Sequence, residues 1–230
     1  MIKSIQKSTL LAVSPYVAWM IMMFILPRSS AWAYTLRTVV SAILLFVAWV
    51  YFSRKEPLEP KSGNEVGLLR SILWGVLIGL AVTVLWIAPE YCDVYRHWCI
   101  LGEVPSPTES QSSPYDPAVC GWALTILRVV GSAFVIAPAE ELFFRSYLYR
   151  RLQNENWCKV DRKSFDLSAL MWTTILFAIE HNRIVAAIMA GLFYWFTYKK
   201  CGFFAAALAH IITNLLLAIF VLYTGAWAFW

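Results

Sequence analysis

The chain has 230 residues, 60% of them hydrophobic and only 14% charged, with a mean hydropathy of +0.62. Ordinary soluble domains carry about 25% charged residues, so this composition excludes a disordered chain, a nucleic-acid-binding domain and a water-exposed globule, whose surface would be apolar almost everywhere. The formal charge of +5 is then read as the Lys and Arg bias of cytoplasmic loops in a polytopic membrane protein.

Seven apolar segments follow in chain order: Thr9 to Leu26, Tyr34 to Phe52, Ser71 to Ala88, Val119 to Tyr149, Leu167 to His181, Ile184 to Tyr198, and Phe203 to Tyr223. A spanning helix needs about 20 such residues, so the pattern predicts an all-α transmembrane helical bundle of about seven membrane segments. Lys3, Lys7, the first apolar run and Ala31-Trp32-Ala33 share the layout of a signal peptide. That run exceeds the roughly 7–15 residues of a usual signal core, and Arg28 interrupts the layout, so an uncleaved first span is expected. Between the third and fourth segments lies the one long polar stretch, Pro89 to Ala118, whose Gly102 to Pro117 part is rich in Pro and Ser and reads as a loop. The fifth segment, at fifteen residues or about 22 Å of helix, falls short of the roughly 30 Å hydrocarbon core. The sixth is equally short, so the two predict a helical hairpin whose tip stops inside the membrane.

Sorting the nineteen Lys and Arg by alternate loops places thirteen on one side and four on the other, with Arg128 and Arg145 inside the fourth segment. The richer side is cytoplasmic, which predicts the N-terminus in and the C-terminus out, in an integral multi-pass membrane protein. The organisation is read as residues 1–118, holding the N-terminal spans and external loop, followed by a core over 119–230. Cys92 and Cys99 are close enough for a disulfide in an oxidising compartment. His97 beside Cys99 supplies too few ligands for a metal reading.

Charged residues at membrane depth are costly and are functional candidates by default. Here they are Arg128, Glu140, Glu141, Arg145 and Glu180, joined by His181, His210 and Asn214. Glu141 and Arg145, spaced i, i+4, share a helix face and are expected to pair. Glu140 points about 100° away and is expected to have other partners. Pro138 frees the carbonyl of Phe134 and predicts a kink just before Glu140. His210 and Asn214 again share a face at i, i+4. Along straight helices Glu140 and His210 each lie about 15 Å from the cytoplasmic boundary and His181 about 20 Å, so all three can meet near mid-bilayer. A polar pair that merely joins helices remains open for each motif taken alone.

Together the three motifs carry a resemblance. Glu140-Glu141-x-x-x-Arg145, Phe177-x-x-x-His181 and His210-x-x-x-Asn214 resemble those of the CPBP family of intramembrane endopeptidases, which includes the type II CAAX prenyl proteases. The run from Pro138 to Tyr149 followed by His210-x-x-x-Asn214 also resembles a bacterial exosortase-associated subgroup, which implies a bacterial inner membrane. The resemblance implies an intramembrane endopeptidase acting on a membrane-associated substrate, lipid-anchored ones included. In it Glu140 is the general base that activates water, His181 holds that water, and His210 with Asn214 supply donors to the oxyanion. Glu141 and Arg145 are implied to be structural support and Phe177 a wall of the substrate cavity. A metalloprotease chemistry uses the same residues, with zinc held by Glu140, His181 and His210. The metal-free version is preferred, because neither histidine has an evident orienting carboxylate in the sequence except Glu180, and no cofactor is assigned. Expected partners are membrane lipid and a membrane-associated peptide or protein, with no nucleic acid. Two rival readings stay open: a non-catalytic immunity or scaffold protein of the same fold, and an ion-coupled transporter.

Overall fold

A backbone in hydrocarbon must satisfy every N–H and C=O within its own segment, and the apolar runs do this as helices. The computed structural model describes residues 2–27, 30–54, 58, 67–99, 106–107 and 113–230, without the side chains of 2–4, 98 and 99. Its long helices are α1 (Ile2–Ile25), α2 (Ala31–Arg54) and α3 (Leu68–Ile87), the last running into a 3-10 turn at Ala88–Tyr91 and then the short α4 (Asp93–Cys99). After them come α5 (Trp122–Gln153), α6 (Leu167–Ile179), α7 (Ile184–Cys201) and α8 (Phe203–Thr224). Among the described residues there is no strand.

Among the described residues five helices are long and apolar enough to cross a membrane: α1, α2, α3 with its 3-10 turn, α5 and α8. The expected fifth and sixth segments are the α6–α7 hairpin, and at 13 and 18 residues its arms rise only about 20 and 27 Å. Local chemistry sets the ends. Asp166 caps α6 by accepting from the Ala169 N–H at 2.8 Å. Gly202, at φ +88°, turns α7 directly into α8.

Within α5 the predicted break at Pro138 takes a particular form. A π-helical segment, Gly131–Ile136, precedes the α turn Ala137–Glu141, and a second, Leu142–Leu148, follows it. The Ala137 N–H reaches back five residues to the Ser132 carbonyl. Wide turns of this kind are frequent at functional sites, and here they flank the two adjacent glutamates.

Helices α3 and α8 approach closely where Gly75 and Gly79 face Ala205 and Ala209. A Cβ on Gly79 would lie 2.7 Å from both the Ala209 carbonyl oxygen and the Ile212 Cβ. A core built around Ile78, Ala139, Phe144, Phe177, Tyr194 and Ala209 draws on α3, α5, α6, α7 and α8 together.

Arg150, near the C-terminal end of α5, is fully buried. Its guanidinium donates to the carbonyls of Leu58, Cys158 and Val160 at 2.7, 3.0 and 2.9 Å. It is the centre of the loop after α5, because five N–H donors in a rigid fork can collect several carbonyls at once. The side chain of Cys99 lies outside the described residues, as does most of the Gly102 to Pro117 loop, and with them the Cys92–Cys99 pairing.

Candidate functional site

Glu140, His181, His210 and Asn214 line one cavity of about 440 Å³. Phe177 and Glu180 also line it, while Glu141 and Arg145 stand behind its wall. Four separate turns supply these groups. Glu140 comes from the α turn between the two π segments of α5, and His181 from the hairpin tip just past α6. His210 and Asn214 come from successive turns of α8.

The expected pair forms: Arg145 Nε lies 3.2 Å from Glu141 Oε2, both groups buried. Glu141 does more than balance that charge. Its other oxygen, Oε1, is 2.9 Å from His210 Nδ1. This corrects the expectation that neither histidine has an orienting carboxylate apart from Glu180. The i, i+4 rule pairs residues within a helix, whereas this contact crosses from α5 to α8.

His210 is therefore held between two glutamates. Its Nε2 lies 3.7 Å from Glu140 Oε2, on the cavity side. With Glu141 as a carboxylate, Nδ1 carries the hydrogen and the neutral ring presents Nε2 as an acceptor toward Glu140. Tyr194 of α7 stacks on the imidazole with centroids 4.5 Å apart and planes 20° apart. Nothing in the sequence distinguishes this tyrosine from the other aromatic residues of an apolar run.

His181 has its Nδ1 2.8 Å from the Phe177 carbonyl oxygen, one turn back. That bond directs Nε2 away from the α6 backbone. Phe177 is buried between the histidines, 4.9 Å from the His181 ring and 6.2 Å from the His210 ring. The Arg145 guanidinium carbon sits 4.4 Å over the Phe177 ring, and its Nη2 donates to the Gly191 carbonyl at 3.4 Å. Asn214 donates from Nδ2 to the Ser132 carbonyl at 2.9 Å, which ties α8 to the first π segment and leaves one amide hydrogen for the cavity.

Zinc is a poor fit to this arrangement. Among the described residues no group of three or more His, Cys, Asp or Glu side chains is placed to hold a metal ion. Glu140, His181 and His210 surround one space without converging as a ligand set, and the oxygen closest to His210 belongs to Glu141, on the far side of the ring.

A second cluster, unexpected from the sequence, flanks the hairpin tip. Glu90, in the long polar stretch Pro89 to Ala118 that the sequence places outside the apolar segments, is 1% exposed. It accepts from Arg183 Nε at 2.8 Å and from Arg96 Nη1 at 2.5 Å. Arg183 follows His181 by two residues and also donates to the Ala228 carbonyl at 3.1 Å.

Residues 122–216 match the family model described as type II CAAX prenyl endopeptidase, Rce1-like. The match spans α5 to α8 and so contains every residue of the three motifs. It reaches the family, not the exosortase-associated subgroup. No curated protein and no solved structure matches the chain.

Proposed function

We propose that this chain, whose residues 122–216 match the family model of the Rce1-like type II CAAX prenyl endopeptidases, is an intramembrane endopeptidase that hydrolyses a peptide bond in a membrane-associated protein or peptide. The observation that carries this reading is the meeting of Glu140, His181, His210 and Asn214 around one cavity. Glu140 takes a proton from a water that His181 Nε2 holds, and the hydroxide attacks the scissile carbonyl. The tetrahedral oxyanion forms against His210 and Asn214. Asn214 donates with its second amide hydrogen. His210 donates from Nε2 once that nitrogen, 3.7 Å from Glu140 Oε2, has taken over the proton that Glu140 drew from the water, and the Glu141 carboxylate at Nδ1 stabilises the doubly protonated ring. The proton then returns through Glu140 to the leaving amine, and the two products separate. Each of these groups is the protein's own, and no step requires a metal.

The experiment is hydrolysis of apolar tail peptides by purified protein in lipid nanodiscs, wild type against Glu140→Gln, with each protein's melting temperature as a folding control. Glu140→Gln is expected to fall to background while melting normally. A Glu140→Gln protein that cleaves at the wild-type rate would refute the assignment. A chelator is expected to leave the wild-type rate unchanged; loss of activity restored by zinc would replace the metal-free mechanism.

A further inference from the structure

Glu180 lines the cavity that holds Glu140 but has no part in the chemistry above. It closes the C-terminal end of α6, directly before His181. Glu180 and Asn182, on either side of that histidine, are the exposed residues of the lining, whereas Phe177, Tyr194 and His210 deeper in are buried. The hairpin tip is therefore the mouth of the cavity.

A carboxylate at membrane depth ordinarily finds a cation, yet among the described residues no Lys, Arg or His side chain forms an ion pair with Glu180. The cations around the cavity are committed elsewhere: Arg145 to Glu141 at 3.2 Å, Arg183 to Glu90 at 2.8 Å, and Arg128 to the faces of Tyr34 and Tyr115. What does approach Glu180 is the Tyr16 hydroxyl of α1. Tyr16 is 3% exposed, and its ring stacks on Phe143 with centroids 4.7 Å apart and meets Phe144 edge-on at 5.3 Å. Its buried hydroxyl has no closer hydrogen-bond partner among the described residues. A rigid donor behind the carboxylate steadies it without neutralising its charge.

That charge is a burden on the reaction. Glu180 and Glu140 face one cavity and repel each other, and the oxyanion forming against His210 and Asn214 brings another negative charge to the same space. A cation arriving with the substrate offsets both. We propose that Glu180 is a subsite for a Lys or Arg side chain of the substrate, close to the bond that faces Glu140. Glu180 adjoins His181, whose Nε2 holds the attacking water, and an extended peptide advances about 3.3–3.6 Å per residue, so the basic residue lies within about two positions of that bond. The inference rests on the endopeptidase reading and adds the chemistry of its substrate: an apolar chain with a basic residue beside the cleaved bond.

The test uses the full-length protein carrying Glu140→Gln in zwitterionic nanodiscs, so that peptides bind without turnover and no lipid charge attracts them. Fluorescent peptides of one apolar sequence carry a single Lys at each position in turn, with Met in its place as the reference. At one or two neighbouring positions the Lys peptide is expected to bind about fivefold more tightly than the Met peptide, the worth of a partly exposed ion pair. Adding Glu180→Gln should erase that preference in a protein that melts normally. Glu180→Lys should reverse it, so that a peptide with Glu at the same position binds better than the Lys peptide. Equal binding of Lys and Met peptides at every position, or a preference that survives Glu180→Gln, overturns the subsite and leaves the endopeptidase reading intact. Absence of binding by any peptide also overturns the subsite, and absence of hydrolysis by the wild type removes the endopeptidase reading with it.

Discussion

Glu141 tests whether His210 is merely packed or also aimed. Glu141→Gln keeps the size of the side chain and an oxygen for Arg145, but it cannot stabilise a protonated imidazole at Nδ1 as a carboxylate does. The expected result is a fall of roughly 10²-fold in kcat, the cost of losing one preorganised donor, with little change in KM. A kcat equal to wild type would show that the 2.9 Å contact only holds helices together. Arg145→Met asks about stability instead, because it strips the cation from a carboxylate that is 0% exposed. Breaking a buried pair from one side costs about 3–5 kcal/mol, and the contact with His210 should hold the loss toward the lower end. Thermal unfolding in detergent reads it as a clear drop in Tm. An unchanged Tm would mean that Arg145 contributes little beyond its contact with Phe177.

The close contact of α3 and α8 makes the equivalent prediction for a pair of elements. Gly79→Val places a branched side chain where a single Cβ already meets backbone at 2.7 Å, and overpacking of this kind typically costs 1–3 kcal/mol. Because α8 carries His210 and Asn214, hydrolysis should fall much more than stability does. Gly67→Val, at a position with nothing near its Cβ, is the control and should match wild type in both assays. The same two helices show what could be read from the sequence. Each apolar run became a helix because hydrocarbon permits few alternatives, and depth along those helices correctly brought Glu140, His181 and His210 to one cavity. The Gly75-x-x-x-Gly79 spacing was equally visible, but small residues identify an interface only once the partner helix is known. Pro138 announced a break in α5 without specifying two π segments, since a hydrogen bond to the fifth residue back leaves no compositional mark. Glu141 was assigned to Arg145 alone because intrahelical spacing is periodic, whereas the reach from α5 to α8 depends on packing.

The whole molecule has to hold a hairpin too short to anchor itself. Helices α6 and α7 end at a tip that carries His181, and that tip is joined to two other parts of the chain through Arg183. Glu90, at the end of α3, accepts from Arg183 and from Arg96 of α4, while Ala228 in the C-terminal turn accepts from Arg183. A carboxylate shared by two guanidiniums in a buried site has strong pairing and high desolvation cost, so its removal from one side should be felt widely. Glu90→Gln is therefore expected to lower Tm and also to reduce kcat, since the tip that positions His181 loses its fixed point. The two effects separate in a cycle with Arg183→Gln. If Glu90 acts through Arg183, the double variant should lose less than the sum of the singles, with a coupling of about 0.5–3 kcal/mol in unfolding free energy. Its hydrolysis should be no slower than that of Glu90→Gln alone. Strict additivity in both measurements would place the worth of Glu90 in its bond to Arg96, making α4 rather than the hairpin the element it secures.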